Sequence, residues 1–300
     1  ADAFKDSYVK QEKEQHEKVI KGLINDKIAY AVERCLQEMC KDEPFSVFKY
    51  GSVDKLTTLD ATSLYQFYRM FLQESPADLH IIGDLDVDKT FAEIEGIFTF
   101  ARGQEKVVPP TRVDVTPGEI RYIKDEMDVS QGKLVLGYRT GLRYGDDDYF
   151  ALLMYNGILG SFPHSKLFQN VREKASLAYY AYSRLEKHKG LMVVSSGIEV
   201  KDYEQALEII RQQVADMVKG EFTQEDIDNT RSGLRNQFLI EEDNPGALIN
   251  RSLDGMLAGR VFETEELLAK LKAVTREDIV RVAKNIALDT VYFLTKKGGA

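Results

Sequence analysis

The sequence predicts an α+β protein of two homologous domains, each an antiparallel sheet with helices on one face, the first truncated at its N-terminus. Two observations lead there. Residues 10–68 and 228–286 share one layout at a constant offset of 218: Arg34–Lys41 falls over Ser252–Gly259, and Asp60 over Asp278. Each copy then closes on a short apolar strand, Leu79–Gly83 or Thr290–Leu294, where the offset slips by several residues. A long period with one unit per domain indicates duplication, because solenoid periods run to about 20–50 residues. Residues 118–227 of the second copy have no counterpart ahead of Ala1, so the sequence reads as part of a longer protein.

The elements follow in order. Residues 6–43 have helical composition, broken near Ile24-Asn25-Asp26 and ended by Lys41-Asp42-Glu43-Pro44, because proline disfavours helix in the residue before it. Asp54–Phe71 holds a short loop and an amphipathic helix with Leu64, Phe67 and Phe71 on its apolar face. Leu79–Ile82 reads as a buried strand, and Asp86–Phe98 as a helix striped by Phe91, Ile94 and Ile97. Gly103, Pro109-Pro110 and Thr116-Pro117-Gly118 mark a stiffened linker. The expected domains are therefore 1–102 and 120–300, with the linker at 103–119. Beyond it, Gln131–Thr140 alternates as a strand with Leu134, Leu136 and Tyr138 on one face. A helix over Tyr149–Leu159, strands over Leu177–Ser183 and Leu191–Ile198, and a long helix over Tyr203–Lys219 come next. Thr223-Gln-Glu-Asp226 resembles a capping box that opens a helix over Glu225–Phe238.

Composition narrows the function. Hydrophobic residues make up 43% and charged residues 30%, as in a soluble globular chain, and no apolar run nears the roughly 20 residues of a membrane span. A net charge of −9 argues against nucleic acid as a partner. Cys35 and Cys40, five apart on a helix, point away from each other, so two buried free thiols are expected. The lack of a disulfide framework favours the cytoplasm.

The most specific string is Gly157-Ile-Leu-Gly160, Ser165-Lys-Leu-Phe168, Val171-Arg-Glu-Lys174 and Leu177-Ala-Tyr179. It resembles the pitrilysin/insulinase family of zinc metallopeptidases, which includes the mitochondrial processing peptidases. Gln131–Gly137, Lys219-Gly220 and Thr223–Asp226 fit the same pattern, and Met39–Phe45 resembles inactive bacterial members. One departure is Ser161-Phe162-Pro163-His164, where relatives carry several glycines.

The resemblance implies a zinc site of the form His-x-x-Glu-His on a helix, with a later glutamate completing it. The four histidines, His16, His80, His164 and His188, include no such pair, and Tyr149–Gly157, the corresponding helix, holds no ligand. Ile20 stands where the late glutamate belongs. Glu12, Glu14 and Glu17 are one turn away and otherwise read as a solvated helix face. No metal-binding or catalytic residue is thus expected in this chain, with zinc left to the complete protein or to a partner.

The resemblance also places two substrate-contacting side chains at Arg172 and Tyr179. A guanidinium and a phenol both donate hydrogen bonds to peptide carbonyls. The plainer alternative pairs Arg172 with Glu173 and packs Tyr179 in a strand. Tyr180 and Tyr182 read as strand aromatics, and Leu191–Gly197 as a core strand rather than a peptide-receiving edge. Ser195-Ser196 with His188 lacks the Gly-x-Ser-x-Gly elbow of a serine hydrolase. Lys187-His188-Lys189-Gly190 reads as a polar hairpin turn, and Arg139, Arg143 and Tyr144 as an exposed loop.

The expected function is a non-catalytic peptide-binding subunit, or portion of one, that forms a homo- or heterodimer with a related peptidase subunit. Two alternatives stay open: the C-terminal portion of an active zinc endopeptidase, and a scaffold that kept only the fold.

Overall fold

A computed structural model describes residues 2–98, 103–104 and 106–298. They form two compact units, one from residues 1–23 and 48–110, the other from 24–47 and 111–300.

In the first unit, helix α1 (Asp6–Gly22) is followed, beyond the residues that belong to the other unit, by α3 (Val53–Thr58), α4 (Ala61–Glu74) and α5 (Val87–Ile97). Asp60 caps α4 by accepting from the backbone N–H groups of Thr62 and Ser63, at 2.9 Å each. The expected strand Leu79–Ile82 is not one: this unit holds no strand among the described residues. Leu79, Ile81 and Ile82 are exposed, and an apolar run forms a strand only where another strand takes its backbone hydrogen bonds. Phe67 and Phe71 stack on the solvent side of α4, and Phe91 and Ile97 of α5 are exposed as well.

The second unit is built on a five-stranded sheet. Its strands are β1 (Arg121–Met127), β2 (Gly132–Arg139), β3 (Ala178–Glu186), β4 (Leu191–Ile198) and β5 (Ala287–Lys296), in the order β1-β5-β2-β4-β3. The expectation of an antiparallel sheet needs correction, since β1 runs parallel to β5. Strand β1 lies beside β5, more than 150 residues downstream, so a long crossover rather than a hairpin sets its direction.

Both faces of this sheet are covered, which explains its long apolar strands. Leu134, Leu136, Tyr138, Met192, Val194, Val291 and Phe293 face one core. That core is closed by α6 (Tyr149–Asn156), α7 (Tyr203–Lys219), α8 (Gln224–Glu241), α10 (Thr264–Ala273) and α11 (Arg276–Ala283). The alternate residues Val135, Leu191, Val193, Tyr292 and Leu294 face the other core, covered by α2 (Lys27–Met39) through Ala31, Val32, Cys35, Leu36 and Met39. Burying each larger side chain there contributes about 1.5–3 kcal/mol. Close approach depends on Gly137, where a Cβ would lie 2.7 Å from the Met39 sulfur.

Helix α2 precedes the linker, yet it packs in this second unit, so grouping all of 1–102 together by chain order does not describe the packing. Its hydrophobic stripe fits the apolar underside of β2, β4 and β5. Residues 99–102, where the first domain was expected to end, lie outside the described residues, as does 105. The described residues of 103–119 form no helix or strand.

The C-terminus of α2 is held by charge. Arg121 donates to the carbonyls of Glu38 and Met39, and Arg139 donates to Met39 O at 2.7 Å. These bonds satisfy carbonyls that a helix end leaves open and place cations at its negative pole. Arg139 also pairs with Glu43 at 2.7 Å and Asp289 at 3.0 Å. Its expected place in an exposed loop is therefore wrong: it ends β2, only 4% exposed. Tyr144 is buried as well, whereas Arg143 does lie toward solvent. Lys189 in the turn after β3 is buried too, paired with Glu43.

Helix α9 (Pro245–Leu257) packs beside α8. The starts of α1 and α2, residues 6 and 27, lie 218 residues before those of α8 and α9, residues 224 and 245. Asp26 caps α2 and Asn244 caps α9 at the same offset. The pairing of Asp60 with Asp278 does not extend to their roles, since Asp60 caps α4 whereas Thr275 caps α11.

Candidate functional site

The residues of the family-like string gather at the β3 edge of the sheet. Helix α6 ends at Asn156 and runs directly into a π-helical turn, Gly157–Ser161. Wide turns of this kind are rare and concentrate at functional sites. Asn156 donates to Ser161 Oγ at 2.6 Å, Ser161 Oγ to the Ser183 carbonyl at 3.2 Å, and Ser183 Oγ to the Asn156 carbonyl at 3.3 Å. This ring ties the turn to β3. Gly160 makes the approach possible, because a Cβ there would sit 2.5 Å from Ser183 N. The departing segment is anchored by stacking of Phe162 on His164, with centroids 5.2 Å apart. His164 Nε2 lies 2.9 Å from Thr230 Oγ1, and burial holds its imidazole below the usual histidine range against the pull of Asp226.

A second π-helical turn, Phe168–Lys174, carries Arg172. Val171 faces the core, which leaves Arg172 outward. Its guanidinium lies 4.5 Å from the Phe168 ring centroid and 3.7 Å from the Glu173 carboxylate. The local ion pair with Glu173 is thus present, yet the side chain remains 43% exposed. Ser176, next along, has a φ of 54°, a left-handed conformation that costs a non-glycine residue energy. It turns the chain into β3.

Tyr179 is the second residue of β3, so it does sit in a strand as the plainer reading had it, but it is 55% exposed. Its hydroxyl donates to Glu199 at 2.6 Å, which raises its pKa and commits its proton. In this state the phenol has its proton committed, and donation to another acceptor requires it to leave Glu199. Arg172 and Tyr179 are each held by a separate acidic neighbour. Tyr180 and Tyr182 are half-buried on the same strand, 5.8 Å apart.

Among the described residues β3 terminates the sheet, with β4 on one side only, and β4 lies between β2 and β3 with every residue buried. Leu191–Gly197 is accordingly a core strand, and the edge belongs to β3. Ser196 Oγ donates to Tyr180 O, and His188 pairs with Asp254 at 2.7 Å, so this serine and this histidine are each bonded elsewhere. Sequence reasoning missed Glu199 and Ser176. Glu199 lies twenty residues from its partner, and nothing local signals the Ser176 turn.

The zinc chemistry of the resemblance finds no fit here. α6 is buried on nearly all sides by Tyr149, Phe150, Leu152, Met154 and Tyr155, none of which ligates zinc as a carboxylate or imidazole does. No group of three or more His, Cys, Asp or Glu among the described residues is placed to hold a metal. Glu12 and Glu14 are exposed on α1, and Glu17 pairs with Lys21, as on a solvated face. No helix among the described residues is long and apolar enough to cross a membrane.

A sheet edge, two wide turns and the family-like string come together in this unit. Residues 58–234 match the family described as the Peptidase M16 inactive domain, and the chain belongs to that family. It is 42% identical over 301 residues to a probable inactive metalloprotease, YmfF, of Bacillus subtilis strain 168, covering all of this chain and 70% of that protein. An uncharacterized zinc protease, YmxG, of the same organism is 22% identical over 79% of the chain and 57% of its own length. A crystal structure of a conserved protein from Enterococcus faecalis V583 superposes with a TM-score of 0.89 at 31% identity, covering all of this chain and 71% of that one.

Proposed function

We propose that this chain is the non-catalytic, peptide-binding portion of a pitrilysin/insulinase-type metallopeptidase, which supplies Arg172 and Tyr179 to an extended peptide lying along the β3 edge. One observation carries the reading: both side chains, on the family-like string, stand exposed beside a strand that has a neighbour on one side only. Edge strands bind extended peptides through main-chain hydrogen bonds, and an arginine fork adds donors for carbonyls. Zinc, on this reading, belongs to the complete protein or to a related peptidase subunit with which the chain dimerises.

The reading includes duplication. The matched spacing of α1–α2 and α8–α9, and the exposed apolar side chains Phe67, Phe71, Phe91 and Ile97, support a first-repeat sheet in the longer protein. The greater length of the relatives supports it further.

The test is peptide affinity of the complete protein or complex carrying Arg172→Ala. A fall of about tenfold or more at unchanged melting temperature is expected for a lost charged hydrogen bond. Unchanged affinity would remove the substrate contact and favour a scaffold. A His-x-x-Glu-His motif in the upstream coding region would make this the back end of an active zinc peptidase instead.

A further inference from the structure

We propose that the cavity between α6, α8 and α9 binds a small organic cation, an ammonium group carried on an aromatic or branched aliphatic body. The cavity measures about 320 Å³, at the small end of the range for ligand sites. No residue of the family-like string lines it, so the site is separate from the one proposed along β3. Phe150, Leu153, Leu234, Phe238 and Leu267 supply an apolar wall. The charged side chains of the lining, Lys187, Glu241, Arg251 and Asp254, are unevenly partnered. Asp254 accepts from Lys187 and from His188 Nε2, the latter 2.7 Å away. Arg251 donates to Glu242 at 2.6 Å and to Thr264 at 2.8 Å. Glu241 is left as a half-buried carboxylate that takes no hydrogen bond or close ion pair among the described residues.

Burial raises the Glu241 carboxyl above its ordinary 4.5 in spite of Arg251 and Lys187. A buried charge is costly until it is paired, and a bound cation pairs it. Two phenols line the same cavity. Tyr144 and Tyr149 are 7% and 6% exposed, with ring centroids 5.1 Å apart. Neither hydroxyl has a hydrogen-bond partner among the described residues, and buried polar groups without one are rare in native proteins. Burial raises both phenols, Tyr144 to about 12, so they stay protonated at neutral pH. Their oxygens accept from an ammonium N–H, the carboxylate accepts only, and aromatic rings favour cations. An anion would meet Glu241 unopposed, because Lys187 and Arg251 are already engaged.

Ligand-observed NMR titration of the complete protein tests this with probes that share one ring and tether: phenethylamine, its neutral N-acetyl derivative, and anionic phenylpropionate. The amine should bind about tenfold or more tightly than either analogue, as a charge-assisted hydrogen bond requires. Glu241→Gln should weaken the amine about tenfold and Tyr149→Phe about threefold. Glu225→Gln, exposed on the same helix and outside the cavity, should leave amine binding unchanged. Tyr149→Phe keeps the ring and its packing, so it reads the site even if Glu241→Gln fails to fold. Binding of none of the probes, equal binding of all of them, or full amine affinity in either cavity variant overturns the proposal.

Discussion

Arg139 Nε and Asp289 Oδ2 lie 3.0 Å apart with the two side chains only 4% and 2% exposed, which makes this the most deeply buried ion pair described in the chain. Asp289 accepts from Arg121 as well, and both arginines reach the carbonyl end of α2. Removing the carboxylate leaves Arg139 buried with only Glu43 and the Met39 carbonyl. Asp289→Ala is expected to cost about 3–5 kcal/mol in chemical denaturation, the range for breaking a buried pair from one side. A cost below 1 kcal/mol would show that the network is not what fastens α2.

Glu43 gives the same network a pH dependence. Burial acts to raise its carboxyl, but hydrogen bonds and charge from Arg139 and Lys189 outweigh burial and hold it below its ordinary 4.5. A depressed folded pKa contributes stability that is full above the unfolded value and lost as pH falls through the folded one. Stability should therefore decline below about pH 4.5 partly through Glu43. In Glu43→Gln, urea midpoints measured across this range should fall less steeply with acid than in the parent.

Burial raises both thiols, Cys40 to about 11 and Cys35 too, with neither accessible to solvent. A thiol-reactive chromophore at pH 8 should label neither cysteine in the folded protein and both in guanidinium chloride. Rapid native labelling would mean that α2 opens from the sheet.

Gly160 lies where a side chain would strike backbone, at Ser183 N. Gly160→Ala should destabilise by about 1–3 kcal/mol, as overpacking does, readable as a lowered melting temperature. Because the turn is bound to β3, the proposed peptide edge predicts that affinity falls with it, whereas an equally destabilising change in α7 should leave affinity intact in the folded fraction.

Where periodicity and capping coincide, the elements were legible in the chain. Tyr203–Lys219 is a helix with the expected bounds, and Thr223–Asp226 is a full capping box. Asp26 breaks and restarts the N-terminal helices where expected. Strand β1 escaped notice because Arg121, Lys124, Asp125 and Glu126 give it no apolar rhythm, and its place depends on a partner more than 150 residues away. Leu79–Ile82 failed in the opposite sense, as an apolar run with no neighbouring strand. At the site, the family resemblance picked out Arg172 and Tyr179, which lie exposed, but their acidic partners came only from the fold.

Helix α2 covers its sheet from a position in the chain ahead of nearly the whole of the other unit. Sequence order and structural allegiance therefore diverge, and dissection of the protein at the proline-rich linker would cut between a lid and its box. A polypeptide starting at residue 120 would present Val135, Val193, Tyr292 and Leu294 bare to water, a contiguous greasy surface inviting precipitation. Supplying residues 24–47 as a separate peptide should restore its solubility, much as a missing fragment rescues a split enzyme.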